Sequence, residues 1–192
     1  MRIQWFYIPN LICYFRLFLV GYALFTEDLP LKIVALGTSC ILDYVDGLTA
    51  RFFNQQSFLG SRLDLIADAL TLLCMGYYAY TQSSMLWFKG LLLFSMFNDL
   101  IHYWVILSSF YHKETNVDHK KELRQNSFLA RLYLNQPGLA ISNIMSDIFL
   151  LLCIYIPPAI YSSLTLLCFL GFLFRQICLI DLMPRILNLK RV

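Results

Sequence analysis

Four aspartates at fixed spacings stand in the stretch LDYVDGLTARFFNQQSFLGSRLDLIADAL, residues 42–70. Asp43 and Asp46 are three residues apart, and Asp64 and Asp68 are four apart, so each pair lies on one face of a helix. A lone carboxylate in a bilayer costs a few kcal/mol or more, and such residues usually line a protected polar site. Because a turn near residues 53–58 would make the two helices antiparallel neighbours, all four carboxylates can converge on one point.

Divalent cations would relieve the repulsion among four converging anions. Ligation by carboxylate oxygens alone favours hard cations such as Mg²⁺, Mn²⁺ or Ca²⁺ over zinc. Two such ions held by shared carboxylates would form the clamp used for in-line displacement at phosphorus. Any single aspartate could instead be a helix cap or an ion-pair partner of Arg51 or Arg62, but that alternative does not explain the whole set at these spacings.

Small residues and an arginine lie between the aspartates. Gly47, Ala50 and Gly60 leave room for a flat or phosphorylated group to approach the backbone, and Arg51 can neutralise phosphate oxygens. The stretch therefore favours a site for a phosphorylated ligand.

The elements that must position this stretch are predicted to be membrane helices. The chain has 192 residues, of which 59% are hydrophobic, and a mean hydropathy of +0.62, which is too apolar for a soluble domain. A net charge of only +3 and the absence of a long lysine or arginine run argue against nucleic-acid binding by a basic surface. The six cysteines lie in apolar stretches without a CxxC pair, as expected for small buried hydrophobes.

Six apolar windows are long enough to span a bilayer. They cover residues 9–26, 31–53, 59–81, 86–111, 138–156 and 158–184. The fold predicted is all-α, a bundle of six transmembrane helices forming a single membrane domain over residues 1–192. Within this domain, a short interfacial segment at residues 1–8 precedes the first span, and no cleaved signal peptide is expected.

Basic residues set the expected orientation. They concentrate at the two termini and in residues 111–137, which the positive-inside rule places in the cytoplasm together with the aspartates. Arg16, within the first window, is expected to extend to the polar site or to the headgroups, since arginine side chains snorkel.

The spacing D-x2-D-G-x2-A-R-x8-G-x3-D-x3-D resembles the signature of the CDP-alcohol phosphatidyltransferase family, with every defining position present. The resemblance implies that an alcohol attacks the phosphorus bearing the lipid of a CDP-linked lipid and that CMP is released. It implies that Asp43, Asp46, Asp64 and Asp68 hold two Mg²⁺ or Mn²⁺ ions and that Asp68 also acts as the base. The residues that it implies for binding the CDP-lipid are Asn10, Gly47, Ala50, Arg51, Gly60 and Arg62.

Four stretches most resemble the eukaryotic phosphatidylinositol synthases within that family: residues 6–16, 50–68, 98–104 and 118–137. This likeness implies CDP-diacylglycerol and myo-inositol as substrates, a homodimer, and the endoplasmic reticulum as location. Ala69 stands where that subgroup is expected to have arginine after the fourth aspartate, so glycerol 3-phosphate, serine or an aminoalcohol remain alternative acceptors.

A pocket for a neutral polyol should offer hydrogen-bond donors and acceptors rather than a cationic cluster. Intramembrane polar residues are the candidates to line it. Asp99 and His102 in the fourth window are predicted for this role. Arg131 in the polar loop is also predicted for the acceptor pocket, and with Arg62 and Arg124 it would suit a phosphorylated acceptor. Asn143 and Asp147 in the fifth window either line the same cavity or hold helices together.

Two other classes of protein would also place acids in a membrane. An ion-coupled transporter explains buried aspartates but not the glycine, alanine and arginine spacing between them. A membrane peptidase with an aspartyl dyad needs two aspartates rather than four. The sequence therefore favours the transferase.

Overall fold

Helices make up the part of the chain that the computed structural model describes, which is residues 4–112, 136–155 and 163–189. No strand occurs in those ranges, so the predicted all-α class is confirmed. The elements are a 3-10 helix (Gln4–Phe6), α1 (Ile8–Phe25), α2 (Leu29–Phe52), α3 (Phe58–Gln82), α4 (Leu86–His112), α5 (Gln136–Tyr155) and α6 (Ser163–Leu189). Each α-helix overlaps one predicted window, in the same order.

A tight turn joins α2 to α3 and sets the geometry of the aspartate stretch. Asn54 adopts a positive φ of 51°, a left-handed conformation that asparagine tolerates better than most residues. Ser57 caps α3 by accepting a hydrogen bond from the Gly60 backbone at 3.0 Å. Gln55 Oε1 accepts a hydrogen bond from the Ile8 backbone at 2.9 Å, which ties the turn to the start of α1.

Four of the described helices are long and apolar enough to cross a membrane. They are Ile8–Phe25, Leu29–Phe52, Leu86–Leu107 and Thr165–Leu182. Large apolar side chains such as Phe18, Val34 and Trp104 are more than half exposed on them, as expected for surfaces that face lipid. The chain is therefore an integral membrane protein.

The apolar core and the polar residues are segregated within the bundle. Buried side chains from all six helices form the core, among them Leu36, Met75, Leu92, Phe149 and Phe172. Helix α1 packs against both α2 and α3, while α5 contacts α2, α3 and α6. This arrangement places the polar faces of α1, α2 and α3 around a shared centre next to α5.

Candidate active site

A single buried guanidinium lies at the centre of the four aspartates. Arg16, on α1, is only 1% exposed. Its Nη1 atom lies 2.9 Å from one carboxylate oxygen of each of Asp43, Asp46 and Asp64, and its Nη2 atom donates to Asp68 Oδ1. Since Nη1 carries two hydrogens, it donates to Asp46 and Asp64 and interacts with Asp43 as an ion pair. One cation therefore contacts all four acids.

The tight turn explains why the two aspartate pairs meet. Asp43 and Asp46 lie in the second half of α2, and Asp64 and Asp68 lie in the first half of α3. The short connection between these helix ends brings both pairs to the same end of the bundle. The structure thus places the four aspartates together, while their roles stay a prediction.

The carboxylates form two overlapping groups of ligand atoms. In one group, atoms of Asp43, Asp64 and Asp68 lie within 4.8 Å of one another. In the other, atoms of Asp46 and Asp64 lie equally close together and to the Cys13 thiol, which donates to Asp46 Oδ2 at 3.4 Å. Oxygens at this separation can bind one hard cation at the usual ligand distances of about 2.0–2.6 Å. The donor set therefore fits a divalent ion, and Asp64 belongs to both groups.

The charge of the cluster also favours further cations. Four carboxylates against one guanidinium leave a formal charge of −3 among these five side chains. Burial of unbalanced charge in a medium of low dielectric constant is costly. Divalent cations would compensate the remaining charge.

Asn10 and Gly60 lie in contact where α1 meets α3. Asn10 is fully buried. A Cβ atom on Gly60 would lie only 2.6 Å from Asn10 Oδ1 and 3.0 Å from Ser57 Oγ. The missing side chain of Gly60 therefore allows this close approach.

Gly47, Ala50 and Arg51 lie in the last two turns of α2. Arg51 is exposed, and its Nε atom donates to the Gly47 carbonyl at 2.9 Å. It helps to line an open surface hollow with Leu48, Thr49 and Phe52. The guanidinium of Arg62 stacks on the ring of Phe58, with Cζ 4.1 Å from the ring centroid.

A second buried polar cluster links α4 to α6. Arg175 Nη1 lies 2.9 Å from Asp99 Oδ1, and Gln176 Nε2 donates to Asp99 Oδ2 at 3.3 Å. Asn98 Nδ2 donates to Gln176 Oε1 at 2.6 Å. Asp99, predicted for the acceptor pocket, is thus held in an interhelical ion pair.

His102 and Arg131 are the other two residues predicted for the acceptor pocket. The ring of His102 packs edge-on against Tyr103, and its Nδ1 atom is buried without a hydrogen-bond partner among the described residues. Arg131 lies outside the described residues. The role of all three in acceptor binding stays a prediction.

A cavity of about 40 Å³ lies between the two polar clusters. Asp43 and Asp68 line it on one side, and Tyr103, Asn143, Asp147 and Arg175 are among the residues that line it on the other. Asp99 and His102 do not line it. Residues from the aspartate cluster and from α4–α6 therefore line one shared cavity.

The family model described as CDP-alcohol phosphatidyltransferase matches residues 6–155 of the chain. This protein belongs to the CDP-alcohol phosphatidyltransferase family. The matched residues include the turn, both aspartate pairs and Arg16.

Curated relatives share the family and carry a more specific name. The chain is 32% identical to CDP-diacylglycerol--inositol 3-phosphatidyltransferase 1 of Arabidopsis thaliana over 66% of this chain and 55% of that protein. It is 28% identical to CDP-diacylglycerol--inositol 3-phosphatidyltransferase of Drosophila melanogaster over 82% of this chain and 68% of that protein. The matches thus span roughly half to two thirds of these relatives' lengths. No solved structure matches the chain significantly.

Two buried arginines of this family member lie at the centres of the polar clusters, where they were not predicted from the sequence. Arg16 reaches the polar site, as expected, but its position between all four aspartates was not predicted. Arg175 was missed altogether. The available signal was the cost of a guanidinium inside an apolar window, which requires a buried acidic partner.

Alanine substitutions of two glycines in the family motif are predicted to have different effects on stability. Gly60→Ala would push a methyl group into Asn10, and we expect a loss of roughly 1–3 kcal/mol of stability. A Cβ on Gly47 would meet only Arg51 Nη2 at 3.9 Å, so Gly47→Ala should leave stability unchanged or slightly raised. Thermal unfolding in lipid nanodiscs measures both. A Gly60→Ala protein as stable as the parent would contradict the close approach.

The activity of Gly47→Ala then isolates the effect on the ligand. Because this variant is expected to keep its stability, lower turnover would show that the added methyl group obstructs a substrate near the backbone. Unchanged turnover would contradict a binding role for Gly47.

Proposed function

We propose that this chain transfers the phosphatidyl group from CDP-diacylglycerol to myo-inositol and releases CMP. The observation that carries the proposal is the gathering of the four motif aspartates at one polar site in a membrane protein of this family. The likeness to inositol 3-phosphatidyltransferases of two organisms supports inositol as the acceptor. The chain would thus be a CDP-diacylglycerol–inositol 3-phosphatidyltransferase.

The reaction requires one base and one leaving group. A hydroxyl oxygen of inositol forms a bond to the phosphorus that bears diacylglycerol, and the hydroxyl proton passes to a carboxylate oxygen of Asp68. The bond from that phosphorus to the oxygen of the CMP phosphate breaks, and CMP leaves. Asp68 suits the role of base because it both belongs to the aspartate cluster and lines the adjoining cavity.

In this proposal Asp43, Asp46, Asp64 and Asp68 hold two divalent ions, Mg²⁺ or Mn²⁺. When bound, the ions neutralise oxygens of the diphosphate and of the leaving CMP. The overlap of the two carboxylate groups at Asp64 supports this number of ions.

Residues at the end of α2 and at the starts of α1 and α3 would bind the CDP-lipid. Arg51 is suited to a phosphate because its guanidinium is exposed and its Nε atom donates to the Gly47 carbonyl, which anchors it to the helix. Gly47 and Ala50 offer an accessible backbone on the same turns. Asn10, Gly60 and Arg62 complete the proposed pocket.

The proposal includes a topology of six membrane spans within one domain, residues 1–192, with residues 1–8 at the interface. Helices α3 and α5 would join the four apolar helices because their charged side chains, such as Asp64, Asp68 and Asp147, lie at polar clusters or a cavity rather than facing lipid. An active site facing the cytoplasm, the endoplasmic reticulum as location and a homodimer belong to the same proposal.

The test is CMP release by the purified protein in nanodiscs that contain CDP-diacylglycerol, with Mg²⁺ or Mn²⁺. Reactions with myo-inositol, glycerol 3-phosphate and serine run in parallel. We expect release that depends on inositol. Release with another alcohol alone would overturn the acceptor, and no release with any acceptor by folded protein would overturn the proposed reaction.

A further inference from the structure

We propose that the cavity beside the aspartate cluster is the inner end of the acceptor pocket and that Asp147 selects a neutral polyol over a phosphorylated alcohol. The inference rests on the proposed function and specifies the acceptor side of the same site. It assigns a binding role to Asp147 in place of Asp99 and His102.

The position of the cavity suits an attacking alcohol. It opens between Asp43 and Asp68 on one side and α4, α5 and α6 on the other. A hydroxyl group placed there lies beside Asp68, the proposed base. A volume of about 40 Å³ accommodates a water molecule, so in this inference the cavity holds one hydroxyl group of the polyol at the inner end of the pocket.

Asp147 is a carboxylate with no hydrogen bond or ion pair to any side chain in the described ranges. Its electrostatic neighbours are Arg175, Asp68, Arg16 and Asp99, but none of the bases comes within ion-pair distance of it. A charged group so enclosed is costly unless a partner satisfies it. Hydroxyl groups of a polyol are suitable partners, because each can donate a hydrogen bond to a carboxylate oxygen.

The charges on this side of the cavity disfavour a phosphorylated acceptor. Arg175 is already paired with Asp99 at 2.9 Å, so these two side chains cancel and Asp147 leaves a formal charge of −1. A phosphomonoester would bring its own negative charge against Asp147 in surroundings of low dielectric constant. Repulsion of the wrong ligand is a common source of specificity.

The test compares Asp147→Asn with Asp99→Asn, which makes the same chemical change in the neighbouring cluster. For Asp147→Asn we expect the KM for inositol to rise about tenfold or more, as for a lost hydrogen bond to a charged group. The KM for CDP-diacylglycerol should stay unchanged, and the preference in kcat/KM for inositol over glycerol 3-phosphate should fall. For Asp99→Asn we expect a lower melting temperature, because Arg175 loses its partner, while inositol still stabilises the protein since the Asp147 carboxylate remains.

A second readout does not depend on turnover. Myo-inositol should raise the melting temperature of the parent protein and of Asp99→Asn, but not of Asp147→Asn or Asp147→Ser. Asp147→Ser serves if the asparagine variant fails to fold. Unchanged inositol stabilisation and acceptor preference in the Asp147 variants would overturn the inference while leaving the proposed function standing.

The melting-temperature shift with inositol also distinguishes a failure of the inferred pocket from a failure of the proposed reaction. Stabilisation by inositol that depends on Asp147, in a protein that releases no CMP, would overturn the proposed reaction and support the pocket. Stabilisation by glycerol 3-phosphate rather than inositol would overturn both.

Discussion

Replacing Asp68 with asparagine is expected to lower CMP release by roughly 10²–10⁴-fold or more, the range for loss of a catalytic acid or base. An amide oxygen cannot take the proton from the attacking hydroxyl, and it is a weaker ligand for a hard cation than a carboxylate. Asparagine keeps the shape of the side chain and can still accept a hydrogen bond from Arg16. The variant should therefore remain folded in the membrane.

Asp99→Asn is the matched control for this experiment. It removes a buried carboxylate that forms an ion pair between helices and does not line the cavity. We expect it to lower stability while the folded fraction keeps its turnover. Substantial turnover by Asp68→Asn would rule out Asp68 as the base, and equal losses in both variants would show that damage to the fold explains the effect.

Removing the guanidinium of Arg16 is expected to make folding depend on divalent ions. In Arg16→Leu the four carboxylates would face one another without the cation that contacts all of them. Removing one partner of a buried ion pair typically costs roughly 3–5 kcal/mol. We expect a loss of this size in EDTA and a partial recovery when Mg²⁺ or Mn²⁺ is added, measured as thermal unfolding of the same sample in both buffers.

Arg51→Leu is the control for the loss of a positive charge. Arg51 is exposed and contacts the Gly47 carbonyl rather than a carboxylate, so its removal should change stability by well under 1 kcal/mol. An Arg16→Leu protein as stable in EDTA as the parent would contradict the role of Arg16 as the counter-ion of the cluster. Loss of stability that divalent ions do not reverse would contradict metal binding by these aspartates.

The helices and the meeting of the aspartates could be predicted because both depend on local patterns. Apolar windows set by bilayer thickness fixed the order of the helices, and spacings of three and four residues fixed which acids share a face. The turn was recognisable from the break between two apolar windows. The positive φ of Asn54 shows how sharply the chain reverses there.

The partners of the acids could not be predicted because they depend on how whole helices rotate against one another. Arg16 lies 27 or more residues from the four aspartates that it contacts, and Arg175 lies 76 residues from Asp99. From the sequence, Asp99 was predicted for the acceptor pocket, and Asp147 was left between lining the cavity and holding helices together. Packing of α6 against α4 pairs Asp99 with Arg175 and leaves Asp147 on the cavity.

The measurement that tests the central claim most directly is the stoichiometry of the two products. Purified protein in nanodiscs with CDP-diacylglycerol and isotopically labelled myo-inositol is assayed for CMP and for labelled phospholipid, with Mn²⁺ or with EDTA. We predict one labelled phosphatidylinositol for each CMP, and neither product in EDTA. CMP release without labelled lipid, or equal transfer in EDTA, would contradict metal-dependent phosphatidyl transfer to inositol at this site.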